Sequence, residues 1–222
     1  MSASAKRYPM PFVRIELALL GIEEGGLVVL LAKRAEEPFA GLWALPGGVL
    51  RIDLDEDLAA AANRIARERL NTQVRSLRQL GAVGSAGRDP RAPWGLSVVY
   101  QAAMRTSDLR AQPGKRVDSL AWHPVDRLPA ARHFAFDHLE LVRTAVDELR
   151  TRVQGMAIPQ GLLTEEFTLG ELQAACEAVL SRPLDKSSFR RKLADAGQVE
   201  AIEGAMRGGA NRPAQLYRMK NA

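Results

Sequence analysis

Leu45 to Val74 reads LPGGVLRIDLDEDLAAAANRIARERLNTQV: a glycine pair, an acid-rich loop, and then a run whose apolar residues recur at helical spacing. Leu58, Ala61, Ala62 and Ile65 fall at i, i+3, i+4 and i+7, the period of one buried helix face. On the same helix Arg64, Arg67 and Glu68 stand at i, i+3 and i+4, so their side chains share a second face. Two guanidiniums and one carboxylate give that face a charge of +1. An arginine is not deprotonated in a protein and cannot ligate a metal. The face therefore suits an anion or internal ion pairs, and metal-assisted hydrolysis through this helix is expected to fail.

Working outward, apolar runs at Val13 to Leu20, Leu27 to Ala32, Val74 to Val83, Leu96 to Ala103 and Leu120 to His123 are separated by Gly, Pro and Asp clusters and read as strands. A second amphipathic helix spans Phe136 to about Val153, with Leu139, Val142, Val146 and Leu149 on one side. Strands with interspersed helices predict an α+β or mixed α/β domain over residues 1–153. Residues 154–166, with two glycines and a proline, break the helical period and read as a linker.

Beyond the linker, Thr168 to Glu171 carries the Thr-x-x-Glu signature of a capping box, and Leu172, Ala175, Cys176 and Val179 line the helix it starts. Pro183 stops that helix, Asp185 can cap the next, and Phe189 and Leu193 supply its buried edge. Gln198 to Ile202 and Ala214 to Met219 flank a Gly-rich loop and can pair as a hairpin. Helix, turn, helix and hairpin over 167–222 is the order of a small winged helix-turn-helix domain. From Arg182 to Ala222 nine Lys or Arg stand against four Asp or Glu, an excess as large as the net charge of +5 of the whole chain. A basic terminus of this kind points to a polyanionic partner.

No apolar run approaches the roughly 18 to 20 residues needed to span a bilayer, and no membrane partner is expected. A single cysteine, Cys176, excludes an internal disulfide and a cysteine-rich zinc site and agrees with a reducing, cytoplasmic setting. Its place in an amphipathic helix assigns it to packing. His123, His133 and His138 have no evident acid or metal partner in the sequence and are taken as structural or pocket-lining.

LWALPGGVL followed by a helix resembles the Nudix family, whose members hydrolyse nucleoside diphosphates linked to another group with divalent metal held by glutamates. The departures are specific: Arg64 and Arg67 occupy glutamate positions, Asn63 the arginine position and Leu70 the closing glycine, while Asp55 stands one residue beyond the upstream glutamate. LLAKRAEEPFAGLWALPGG (Leu30 to Gly48), GRDPRAPWGLSVVY (Gly87 to Tyr100), AWHPVDRLP and FAFDHLELV are similar to the ADP-ribose pyrophosphatases of that family, so the likeness covers about Arg14 to Val153. It implies a nucleotide pocket at Arg34, Trp43, Gly47, Gly48, Arg64, Arg67, Glu68, Arg88 and Arg91, with no catalytic or metal-holding residue assigned. Arg64 and Arg67 either meet a diphosphate directly or are held in salt bridges to Asp53, Asp55, Glu56 or Asp57.

FTLGELQAACEAVLSRPLDKSSFRRKLADAGQV and NRPAQLYRM resemble the C-terminal domain of the Nudix-related transcriptional regulators of NAD metabolism, the NrtR family. A basic helix from Lys186, with Ser187, Ser188, Arg190, Arg191 and Lys192, has the donors to enter a major groove, and Arg207 and Arg212 bracket the proposed wing. The resemblance implies a homodimeric repressor on a double-stranded operator, with ADP-ribose or a related nucleotide as effector and no cofactor. Two other readings remain: an active hydrolase using Asp53, Asp55, Glu56 and Glu68, and a ligand-free dimerisation platform.

Overall fold

The computed structural model describes residues 10–208 and 213–220. Its larger sheet has the order β3-β2-β1-β6-β5, with β4 also on β1 and β7 also on β2. The strands are β1 (Phe12–Glu23), β2 (Gly26–Arg34), β3 (Trp43–Ala44), β4 (Gly47–Val49), β5 (Arg78–Ala86), β6 (Trp94–Arg105) and β7 (Val117–Pro124). β1 and β6 run parallel, from Phe12 opposite Gly95 to Ile22 opposite Arg105, while the other pairings are antiparallel, so the sheet is mixed.

Alternation along β1 sends Ile15, Leu17 and Leu19 to one face and Ala18 and Leu20 to the other. Helix α1 (Leu58–Leu70) covers the first face with Ala61, Ala62, Ile65 and Ala66, and helix α2 (His138–Gln154) covers the second with Val142, Ala145, Val146 and Leu149. Asp57 caps α1 by accepting from the Ala60 N–H at 2.7 Å, and Asn71, at φ 49, ends it in the left-handed conformation where the Nudix pattern has glycine nearby.

Two boundaries differ from the sequence expectation for backbone reasons. β5 begins at Arg78 and not at Val74, because Ser76 takes φ 55 and breaks the extended run. α2 begins at His138 and not at Phe136, whose φ of 53 lies outside the right-handed helix. The strands β3 and β4, two and three residues long, are too short to leave a periodic signal.

Helices α3 (Leu169–Leu180) and α4 (Lys186–Ala196) and a sheet ordered β8-β10-β9 form the C-terminal unit, with β8 (Phe167–Thr168), β9 (Val199–Arg207) and β10 (Ala214–Met219). Both bonds of the capping box are made: the Glu171 N–H donates to Thr168 Oγ1 at 3.2 Å and the Thr168 N–H to Glu171 Oε2 at 2.7 Å. Asp185 caps α4 through the Ser188 N–H at 2.8 Å. Phe189 and Leu193 are buried as their spacing requires, each worth about 1.5–3 kcal/mol. Cys176 is enclosed, and burial pushes its thiol up to about 12, which leaves it a packing residue.

Residues 154–166 are packed rather than extended through solvent. Met156, Ile158 and Leu162 are buried in the same apolar cluster as Leu149, Leu172 and Phe189. At Gly161 a side chain would fall 2.3 Å from the Ala103 carbonyl of β6, so the segment lies directly on the sheet.

Candidate functional site

One cavity of about 360 Å³ opens where β1, β2, the Gly47-Gly48 strand and α1 converge. Arg14, Arg34, Arg51, Arg64, Arg69, Arg91, Lys115 and Arg116 line it, against only two acids, Glu37 and Glu68. Such a wall favours an anion, since opposed guanidiniums present fork-shaped donors with little competing negative charge.

The glycines set the floor. A Cβ at Gly47 would sit 1.6 Å from Glu16 Oε2 and 2.9 Å from the Ile15 carbonyl, so the carboxylate occupies the space of the missing side chain. Gly48 is pressed against Ile65 and Arg69, and Arg69 pins the loop by donating to the Gly47 carbonyl at 2.8 Å and the Lys115 carbonyl at 2.9 Å. Glu16 is fully buried; its Oε1 accepts from Arg14 Nε at 2.7 Å and lies 3.6 Å from His138 Nε2. Burial alone would raise its carboxyl, but Arg14 and His138 outweigh that and hold it at about 2. His138 Nδ1 accepts from the Leu45 N–H at 3.0 Å, which places the ring proton on Nε2, facing Glu16.

On α1 the two arginines separate. Arg64 donates through Nε and Nη2 to both oxygens of Asp55, at 2.6 and 2.7 Å, and through Nη2 to the Val49 carbonyl at 2.9 Å, while Nη1 lies 3.3 Å from Glu68. That ion pair is the salt-bridged alternative anticipated for it. Arg67 is exposed and lines a second depression, which Arg64 and Asp55 also border, with Asn63, Gln73 and Arg75. The Nudix likeness implies a divalent metal on this helix, and the residues do not fit one. Glu68 has a guanidinium beside it where further carboxylates would be required, and among the described residues no group of three or more His, Cys, Asp or Glu is placed to hold a metal ion.

Of the other residues expected at the pocket, Arg34, Gly47, Gly48, Glu68 and Arg91 line the cavity. Trp43 does not; it packs edge-on against His123, with centroids 4.6 Å apart. Arg88 does not line it either; it donates through Nε and Nη2 to the two oxygens of Asp137, both at 2.7 Å, and through Nη1 to Ser97 Oγ at 2.5 Å. Sequence reasoning missed Arg14, Arg51, Arg69, Lys115 and Arg116. Two charges alternating within the apolar strand FVRIELALL were the available signal for Arg14; the others converge from segments far apart in sequence.

The second candidate surface is α4. Lys186, Ser187, Arg190, Arg191 and Lys192 are exposed, and Ser188 is half-buried against its cap. Arg190, Arg191 and Lys192 have no carboxylate within salt-bridge distance among the described residues. Arg207 stands at the loop end of the β9–β10 hairpin, opposite Ala214, paired with Glu171 and donating to the Glu166 carbonyl at 3.1 Å. Arg212 lies outside the described residues.

Comparison with known proteins agrees with this architecture. Residues 16–145 match the NUDIX domain and residues 159–219 the NrtR DNA-binding winged helix domain. The chain is 33% identical over 211 residues to the ADPR responsive transcriptional repressor NtrR of Acinetobacter baylyi, covering 95% of this chain and 83% of that one. The chain belongs to the NrtR family. Among solved members, Shewanella oneidensis NrtR complexed with a 27mer DNA superposes with a TM-score of 0.74 at 32% identity, over 94% of this chain and 93% of that one. The NUDIX domain of the same NrtR, complexed with ADP ribose, gives a TM-score of 0.57 at 32% identity, over 64% of this chain and 90% of that one.

Proposed function

We propose that this NrtR-family chain is a transcriptional repressor whose NUDIX domain binds ADP-ribose or a related nucleotide without hydrolysing it, and whose winged domain holds operator DNA of NAD-metabolism genes. The supporting relatives are a repressor described as ADPR responsive, a DNA complex and an ADP-ribose complex. The sensing unit comprises the mixed sheet with α1 and α2, the reading unit begins at Phe167, and 154–166 joins them. Lys186, Ser187, Arg190, Arg191 and Lys192 supply the groove contacts. The protein acts in the cytoplasm as a homodimer, with two copies of α4 about 34 Å apart meeting half-sites one helical turn apart.

The observation that carries this reading is the course of α2. At its start Asp137 holds Arg88 and His138 faces Glu16, the partner of the cavity's Arg14. Toward its end Arg150 donates to the Val179 carbonyl at 3.1 Å and to Ser181 Oγ at 3.0 Å, at the C-terminus of α3. One helix thus joins Glu16, the partner of a cavity arginine, to the DNA-reading unit, and a ligand that shifts it changes both. A hundredfold loss of operator affinity requires only about 2.7 kcal/mol of such coupling.

The hydrolase reading has less support, because Asp53 is paired with Arg51 and Asp55 with Arg64. Fluorescence anisotropy on DNA from upstream of the chain's own gene neighbourhood, titrated with ADP-ribose, tests both halves. Binding that is released by the nucleotide, with no magnesium-dependent turnover, is expected. Brisk turnover without DNA binding overturns the proposal.

A further inference from the structure

We infer that the phosphoryl group of the ligand is received by Arg14, with Arg34 and Arg91, around the ring of Phe136, and not by the degenerate NUDIX helix. This rests on the proposal that the cavity takes a nucleoside diphosphate, and it names the contacts that would hold it.

The donors decide between the two places. Arg64 has Nε and Nη2 committed to Asp55 and Val49 and Nη1 beside Glu68, so an incoming phosphate finds its charge already matched. Arg14 is the converse. It is a buried cation, 6% exposed, yet only its Nε donates to a protein group, Glu16; the terminal nitrogens have no acceptor among the described residues, and the side chain lines the cavity. Those nitrogens are not among the fully enclosed polar atoms left without a partner, so they open onto the cavity, where an anion would take up their fork donors.

Two further guanidiniums converge on the same point. The guanidinium carbons of Arg14, Arg34 and Arg91 lie 5.5, 5.2 and 5.8 Å from the Phe136 ring centroid. Arg34 is bonded only to the carbonyls of Pro38 and Glu36, which satisfy donors without cancelling charge. Arg91 gives Nε and Nη2 to Asp89. Three cations thus share two carboxylates, Glu16 and Asp89. Burial first, then the neighbouring Arg14 and Arg91, depress the Arg34 pKa, the mark of cations held near one another.

The ring that organises them is itself held out of place. Phe136 at φ 53 and Phe39 at φ 67 are both left-handed, an uncommon conformation for bulky residues, and pack edge-to-face at 4.8 Å. These cations come from β1, β2 and the turn before β6, none from α1.

Calorimetry on the full chain, with ADP-ribose and separately with inorganic pyrophosphate, tests the assignment. Arg14→Gln with Glu16→Gln removes both members of a buried pair, and Asp55→Asn with Arg64→Gln does the same on α1. The first is expected to weaken ADP-ribose about 30-fold or more and abolish pyrophosphate heat, the second to change either less than about threefold. Arg34→Ala, which breaks no ion pair, is expected to cost about tenfold and stands in if the first variant fails to fold. Equal losses in the two pairs, or full affinity in the Arg14 pair and in Arg34→Ala, overturn the receptor while leaving the proposed effector intact. Wild-type protein that takes pyrophosphate but not ADP-ribose refutes the effector and keeps the receptor; protein that takes neither refutes both.

Discussion

Helices α1 and α4 both carry arginines outward, and the structure gives Arg64 on the first and Arg190 and Arg191 on the second opposite fates. Arg64 on α1 is enclosed by Asp55, Glu68 and the Val49 carbonyl, whereas Arg190 and Arg191 on α4 stand in solvent without a carboxylate partner among the described residues. The difference is local supply. The loop before α1 contributes Asp53, Asp55, Glu56 and Asp57, while the single acid before α4, Asp185, is engaged in capping. Counting basic residues therefore says little about where an anion binds; the acceptors around each one decide it.

Reversing the free arginines is the strongest test of this contrast. Arg190→Glu with Arg191→Glu is expected to weaken operator binding about a thousandfold at moderate salt and to flatten the salt dependence by about two units of slope. Unchanged anisotropy titrations would break the comparison at its α4 end. The half-engaged Arg14 lies between the two extremes and is read through its partner. Because Glu16 is held at about 2, below the ~4.3 of an unfolded chain, its stabilisation is complete above ~4.3 and is lost as pH falls through about 2. Glu16→Gln should flatten that acid limb in a pH series of denaturant unfolding; an unaltered limb would remove Glu16 as its source.

Smaller effects sharpen the α1 side. Hydrogen bonds from Arg64 hold the Asp55 carboxyl below its usual range against the raising effect of burial. Asp55→Asn is expected to lower stability by about 2 kcal/mol, roughly 6 °C in thermal unfolding, with ADP-ribose affinity in calorimetry little changed. A stable variant that no longer binds nucleotide would show Arg64 to be a receptor after all. Arg207→Ala should have the least effect, below about threefold on DNA affinity, since Glu171 already takes its charge in an exposed pair worth at most about 1 kcal/mol. A tenfold loss in the same titration would place Arg207 on the DNA.

Much of the fold was legible because its signals are local. The capping box at Thr168 and Glu171, the Phe189 and Leu193 edge of α4, and the five long strands follow from periodicity and capping chemistry that act within a few residues. The pocket was legible only in part. Arg34, Gly47, Gly48, Glu68 and Arg91 were named from family likeness and do line the cavity, yet Trp43, Arg67 and Arg88 are not among its lining residues. Residues 154–166 read as a linker because glycine and proline end helices whether or not the chain then docks, and Met156, Ile158 and Leu162 give no period that would show their packing.

By itself, then, the amino-acid order determined that α1 could not present three carboxylates and that a basic, capped helix would follow a change of texture near residue 167, because residue identity and short-range spacing are enough for both. Tertiary structure alone decided which arginines keep unused donors. Asp55 reaches Arg64 across nine residues, Asp137 reaches Arg88 across forty-nine, and Arg14 meets Phe136 only when a strand and the segment before α2 are brought together. Ion pairing depends on distances of a few ångströms that only the folded chain sets.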